Sequence, residues 1–182
     1  MKKSVFVAVV LGTLLLVGCG GKKSESSDII VTTTETPKPK APVRMQSYRQ
    51  TKDVVWVDKS YQVVIDRTPD DSLRMAVDET GQKYVDNRVS LRVIRADGSV
   101  FFSHSFTKSS FDAYIDGDYR DGGILEGFVF DKVEGSRLVF ASSVCLPQTD
   151  EYIPLVVSVS SQGEIGIRRD SQMDTNGDEE DM

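Results

Sequence analysis

The chain has 182 residues and a formal net charge of −6, with 39% apolar and 27% charged residues. That composition suits a single globular domain once low-complexity segments are set aside. It argues against nucleic acid as a partner, because Lys and Arg are interleaved with Asp and Glu and leave no basic face to displace phosphate counterions.

In chain order, residues 1–18 read as a signal peptide. Lys2 and Lys3 form a basic head, Val5 to Val17 an apolar run broken only by Gly12 and Thr13, and Gly18 a small exit residue before Cys19. The run is short of the roughly 20 residues that span a bilayer. The string Leu16-Val17-Gly18-Cys19 resembles the bacterial lipobox. The resemblance implies a diacylglyceryl group on the Cys19 sulfur, cleavage before it, and acylation of the new amino terminus. Several acyl chains anchor firmly, since each buried methylene contributes about 0.8 kcal/mol. Removal of Lys2 and Lys3 takes the net charge from −6 to −8. Gly20 stands where inner-membrane lipoproteins of well-studied Gram-negative bacteria often carry Asp, so the resemblance implies the outer membrane, periplasmic or surface-facing.

With Cys19 lipidated, the second of the two cysteines has no intramolecular partner. Cys145 closes the apolar run Leu138-Val139-Phe140-Ala141-Ser142-Ser143-Val144-Cys145 and reads as a buried structural thiol. No cofactor beyond the covalent lipid is expected.

Residues 19–49 read as a flexible tether, rich in Lys, Ser, Thr, Glu and Pro, with Thr32 to Pro42 its clearest stretch. About thirty such residues hold a domain roughly 30 Å from its anchor. Asp28-Ile29-Ile30-Val31 is a short apolar exception that could add an edge strand.

Residues 50–170 show period-two patterning between turn signals. Strands are expected at Val54-Val55-Trp56-Val57 and Tyr61-Gln62-Val63-Val64-Ile65, around a turn at Asp58-Lys59-Ser60. Val89-Ser90-Leu91-Arg92-Val93 turns through Asp97-Gly98 into Val100 to Phe106. Gly127-Phe128-Val129-Phe130 pairs with Arg137-Leu138-Val139-Phe140 through Glu134-Gly135-Ser136, and Ile153 to Val159 with Ile165-Gly166-Ile167 through Ser161 to Glu164. One short helix is expected from Ser109 over Phe111-Asp112-Ala113-Tyr114, with Asp112 near its positive end. The fold class is therefore mainly β, an antiparallel sandwich or partly closed barrel with one short helix. Residues 171–182 read as an acidic tail. Its Asp174-Thr175-Asn176-Gly177-Asp178 imitates the opening of a calcium loop but runs out of chain before the last ligand.

Candidate chemistry is sparse. His104, the sole histidine, shares its expected strand face with Val100, Phe102 and Phe106, and reads as a packed aromatic before a catalyst. Asp116, Asp118 and Asp121 sit in a glycine-rich stretch whose oxygen donors suit a hard cation, with a solvated turn as the plainer reading. Gln148 and Tyr152 lie in a proline-bounded connection, where partner contact competes with a rigid crossover. No nucleophile elbow, phosphate loop or dinucleotide fingerprint occurs.

The strings Pro69-Asp70-Asp71-Ser72-Leu73, Gly81-Gln82-Lys83-Tyr84-Val85-Asp86-Asn87, Asp97 to Phe102 and Pro147 to Leu155 together resemble a family of small lipoproteins carrying a domain of unknown function, common in gut anaerobes. The resemblance implies class and location and brings no catalytic residues. The expected function is that of a non-enzymatic binding module at the cell envelope, held to the membrane by lipid, with an envelope protein or a glycan as partner. An inhibitor of a lysozyme-like hydrolase, or a metal-dependent enzyme using His104 or the Asp116 to Asp121 segment, are the competing readings.

Overall fold

A computed structural model describes residues 40–171, all within one compact unit. The signal peptide, Cys19, Asp28 to Val31 and all but Ser171 of the acidic tail lie outside the described residues, as does most of the tether. None of the helices among the described residues is long and apolar enough to cross a membrane.

Strands β1 (Tyr48–Trp56), β2 (Lys59–Pro69), β5 (Asn87–Arg95) and β6 (Val100–Phe106) form one antiparallel sheet in the order β1-β2-β5-β6. Strands β7 (Ile124–Glu134), β8 (Arg137–Cys145), β9 (Tyr152–Ser160) and β10 (Ile165–Arg169) form a second, in the order β10-β9-β8-β7. All four expected hairpins are present. Period-two patterning produces them because alternate side chains share a face. In β5 Val89, Leu91 and Val93 are buried, and in β9 Ile153, Leu155, Val157 and Val159 are. These two sets and their neighbours belong to one buried cluster that includes Ile65 and Phe106 from the first sheet and Leu125, Phe128 and Phe140 from the second. Two sheets sharing one core make a sandwich.

The sandwich does not close into a barrel, and β7 shows why. Its pairing with β8 shifts at Leu125/Gly127 and at Phe130/Lys132, so bulged residues lack a ladder partner. Side chains of the first sheet, and Asp86 just before β5, bond backbone groups along its outer edge. Asp86 accepts from Leu125 N–H at 2.8 Å, Asn87 donates to Leu125 C=O at 3.0 Å, Gln50 accepts from Phe130 N–H at 2.9 Å, and Arg67 donates to Glu126 C=O. An edge that would otherwise invite another strand is thereby covered.

Several local expectations give way to tertiary demands. The first hairpin turns at Val57-Asp58, one residue earlier than the composition suggests, with Trp56 paired to Lys59. Both turn residues have positive φ, 48° and 58°, as a two-residue hairpin turn requires. A β-branched residue is strained there. The turn sits early because Trp56 is buried against Tyr61 and Phe101, with ring centroids 5.3 Å away in each case. Val57→Asn is accordingly expected to raise stability by about 1 kcal/mol, read as a higher urea midpoint at unchanged slope. A midpoint at or below the parent's would remove the strain argument.

The helix expected over Phe111 to Tyr114 is only a 3-10 turn, Lys108–Phe111, because Phe111 and Ile115 both drop into the core. The α-helix, α1 (Gly117–Gly122), forms instead in the stretch read as a glycine-rich loop, with Asp116 at its N-cap and Asp118 in its first turn. Gly123 ends it at a close approach, where a β-carbon would stand 2.5 Å from the Tyr119 carbonyl oxygen.

Patterning also missed the pair β3 (Ala76–Val77) and β4 (Lys83–Tyr84), too short for periodicity to register. Val43, inside the stretch read as tether, exchanges backbone hydrogen bonds with Lys83 and Val85 at 2.9 Å each, and β1 begins at Tyr48.

Candidate functional site

The outer face of the first sheet carries a polar depression of about 620 Å³, lined by Asp66, Thr68, Ser90, Arg92, Ser103, His104 and Ser105. Strand pairing assembles it. Asp66 stands opposite Ser90, Ser90 opposite Ser105, and Arg92 opposite Ser103. Asp66 lies 3.3 Å from an Arg49 nitrogen and 3.6 Å from an Arg92 nitrogen, which holds the charges in a row across three strands. At the margin Arg88 donates to Asp70 at 2.6 Å. Hydrogen bonds from Ser72 and then from Arg88 pull the Asp70 carboxyl down to about 2.

His104 borders this depression on the edge strand β6, but it stands opposite Leu91, so its ring lies on the other face of the sheet from Ser103 and Ser105. Its ring is exposed, with one side against Phe106 at 4.5 Å and Phe102 at 6.3 Å. The expectation of a face shared with Val100 fails, because the bulge at Val93/Ile94 puts Val100 opposite Ile94 while Phe102 stays opposite Val93. The same bulge lets both Phe101 and Phe102 pack against the core.

The three aspartates of the 116–121 segment diverge. Asp116 pairs with Arg169 at 2.8 Å, Asp121 with Arg74 at 2.9 Å, and Asp118 is exposed in the first turn of α1. Among the described residues no group of three His, Cys, Asp or Glu is placed to hold a metal ion. Gln148 occupies the β8–β9 connection with φ 64°, and Tyr152 opens β9 with 48% of its surface exposed. Neither lines the His104 depression.

A second cleft, about 350 Å³, has a feature that sequence reasoning missed. Its floor holds the buried pair Asp86 and Lys108, with Asp86 Oδ2 and Lys108 Nζ 4.0 Å apart. Asp86 Oδ1 accepts from the N–H groups of Leu125 and Asn87, both at 2.8 Å, and Lys108 Nζ donates to the Gly123 carbonyl at 2.6 Å. Burial pushes the Asp86 carboxyl above the usual carboxylate range and the Lys108 ammonium below the usual lysine range. The only sequence signal was an Asp-Asn pair at the mouth of a strongly alternating strand. Nothing local says that Lys108, twenty-two positions on, will be buried beside it.

The family model of a domain of unknown function, DUF4738, matches residues 28–167. The chain belongs to the DUF4738 family. No curated protein matches it. The matched span includes both depressions of the DUF4738 domain and begins after Cys19.

Cys145 of the DUF4738 domain is partly buried at the end of β8, with its thiol 3.4 Å from the Ser143 hydroxyl. Burial pushes it up to about 11. With Cys19 replaced by Ser it is the sole thiol. Its alkylation at pH 8 is expected to run about 100-fold slower than that of a free cysteine, since each pKa unit removes a factor of ten in thiolate. Equal rates in the native and denaturant-unfolded chain would contradict this.

Proposed function

We propose that this DUF4738 protein is a lipid-anchored, non-enzymatic binding module of the cell envelope, attached through Cys19, and that the outer face of its first sheet holds a glycan. The observation that carries the reading is the His104 depression. It is open, built on rigid strands, and lined by hydroxyls beside carboxylate and guanidinium groups fixed by their own ion pairs. Asp66 accepts hydrogen bonds, Arg92 donates them, and the serines do both, which matches the alternating demands of sugar hydroxyls.

Co-sedimentation with isolated envelope polysaccharide tests it. Arg92→Ala and Asp66→Ala are each expected to weaken retention at least tenfold, or about 1.4 kcal/mol, while Gln148→Ala leaves it unchanged. Retention by a purified lysozyme-like hydrolase in place of the polysaccharide would overturn the glycan reading in favour of an inhibitor. Attachment is tested separately. Cys19→Ser is expected to release the chain from the membrane fraction with the loss of the lipid mass.

A further inference from the structure

We propose that the cleft over Asp86 and Lys108 is a second binding site, which takes a hydroxyl of a small neutral polyhydroxy ligand between the two buried charges. The proposal stands apart from the sheet face and rests on hydrogen-bond accounting at the cleft floor. Asp86 Oδ1 is used twice, by the N–H groups of Leu125 and Asn87. Asp86 Oδ2 lies 4.0 Å from Lys108 Nζ, beyond hydrogen-bond reach. Lys108 commits one of its three protons to Gly123. The floor therefore presents an accepting oxygen and donating protons on either side of a gap.

The gap selects by chemistry. An oxygen about 2.8 Å from both atoms would see them at an angle of about 90°, within the range a hydroxyl tolerates. A carbonyl accepts from Lys108 but offers nothing to Asp86. An ammonium donates to Asp86 but is repelled by Lys108, and a carboxylate is repelled by Asp86. A hydroxyl alone among common ligand groups both accepts and donates at one atom.

The rim argues for a ligand without net charge. Three carboxylates, Asp86, Asp112 and Asp121, balance three cations, Arg74, Lys108 and Arg120, so the lining carries no excess of either sign. The volume of about 350 Å³ falls at the small end of ligand sites, near the lower bound of roughly 300 Å³. A single sugar ring or a polyol suits it better than a chain.

The test follows amide shifts of Asn87, Leu125 and Gly123 in the full chain during titration with glucose, N-acetylglucosamine and mannitol. Sodium acetate and methylammonium chloride serve as charged controls. A saturable shift at these three amides with at least one hydroxylated probe is expected, and none with the controls. In the double variant Asp86→Asn, Lys108→Met, the introduced side-chain amide oxygen would still accept from both N–H groups, so the fold is retained while the accepting and donating pair is lost. Its affinity is expected to fall at least tenfold. Arg92→Ala should leave the response intact, so failure of the sheet-face reading and failure of this one are distinguishable. No saturable shift in the folded parent, an equal response in the double variant, or a response confined to acetate would overturn the proposal.

Discussion

Asp86→Ala is expected to lower unfolding stability by about 3–5 kcal/mol, a large share of what a domain of this size possesses. The substitution leaves Lys108 charged and buried without its counter-ion, and it orphans the N–H groups of Leu125 and Asn87. The Leu125 amide ties the edge strand of the second sheet to Asp86, so the loss falls on the sandwich joint as well as on the charge. The double variant Asp86→Asn, Lys108→Met should recover most of the stability, because removing both charges also removes both desolvation costs.

The pH dependence has a definite sign. Asp86 holds its proton more tightly folded than unfolded, so its contribution is full below its unfolded value near 3.8 and is lost as pH rises through the raised folded value. Lys108 behaves oppositely. Its folded value lies below 10.5, so its contribution is full above 10.5 and is lost as pH falls through the lowered value. Between the two folded values both groups are ionised and both burial costs are present. Urea midpoints of parent and double variant should therefore differ least at acid and alkaline extremes, relative to a shared baseline, and most near neutrality. A parent more stable than the double variant by several kcal/mol at neutral pH would show that the pair's attraction outweighs its desolvation.

Phe106→Ala is expected to cost about 3–5 kcal/mol. Phe106 ends β6 fully buried, and its ring stands 5.1 Å from Phe128 and 6.1 Å from Phe111, while Phe128 continues to Phe140 at 5.6 Å. The ring thus ties the first sheet, the 3-10 turn and the second sheet in one aromatic run, and its removal leaves a cavity that strands on both sides hold open. Phe102→Ala, four residues earlier in β6 and only partly buried, should cost less than half as much. Equal urea midpoints for the two variants would mean that the core collapses around the Phe106 cavity.

Much of this fold was legible because the sandwich is built from neighbours in sequence. The second sheet is a meander, and the first is built from two hairpins separated by the β3–β4 excursion, so turn signals such as Asp97-Gly98 and Gly135-Ser136, set between alternating runs, were enough to place all four hairpins. What patterning could not reach was either very short or decided by distant partners. The two-residue strands at Ala76 and Lys83 carry no period, and the hydrogen bonds of Val43 go to Lys83 and Val85, far along the chain. The α-helix moved from Phe111 to Gly117 because the core claimed Phe111 and Ile115 first, a demand from the opposite sheet that no local propensity records.

The candidate sites divide along the same line. His104 was found by being the sole histidine, yet the polar depression it borders is made by other residues, and only the register of three strands brings Asp66, Ser90 and Arg92 together with Ser103 and Ser105. By itself the sequence determined the strand alternation, the hairpins, the acidic balance and the lipobox resemblance at Cys19, all set by residues close along the chain. The tertiary structure alone decided that the sheets share one core, that β7 is sealed by side chains instead of a neighbouring strand, and that Asp86 meets Lys108. Each of those joins groups far apart in sequence, and burial, which makes an ion pair costly and a thiol inert, exists only once both sheets are in place.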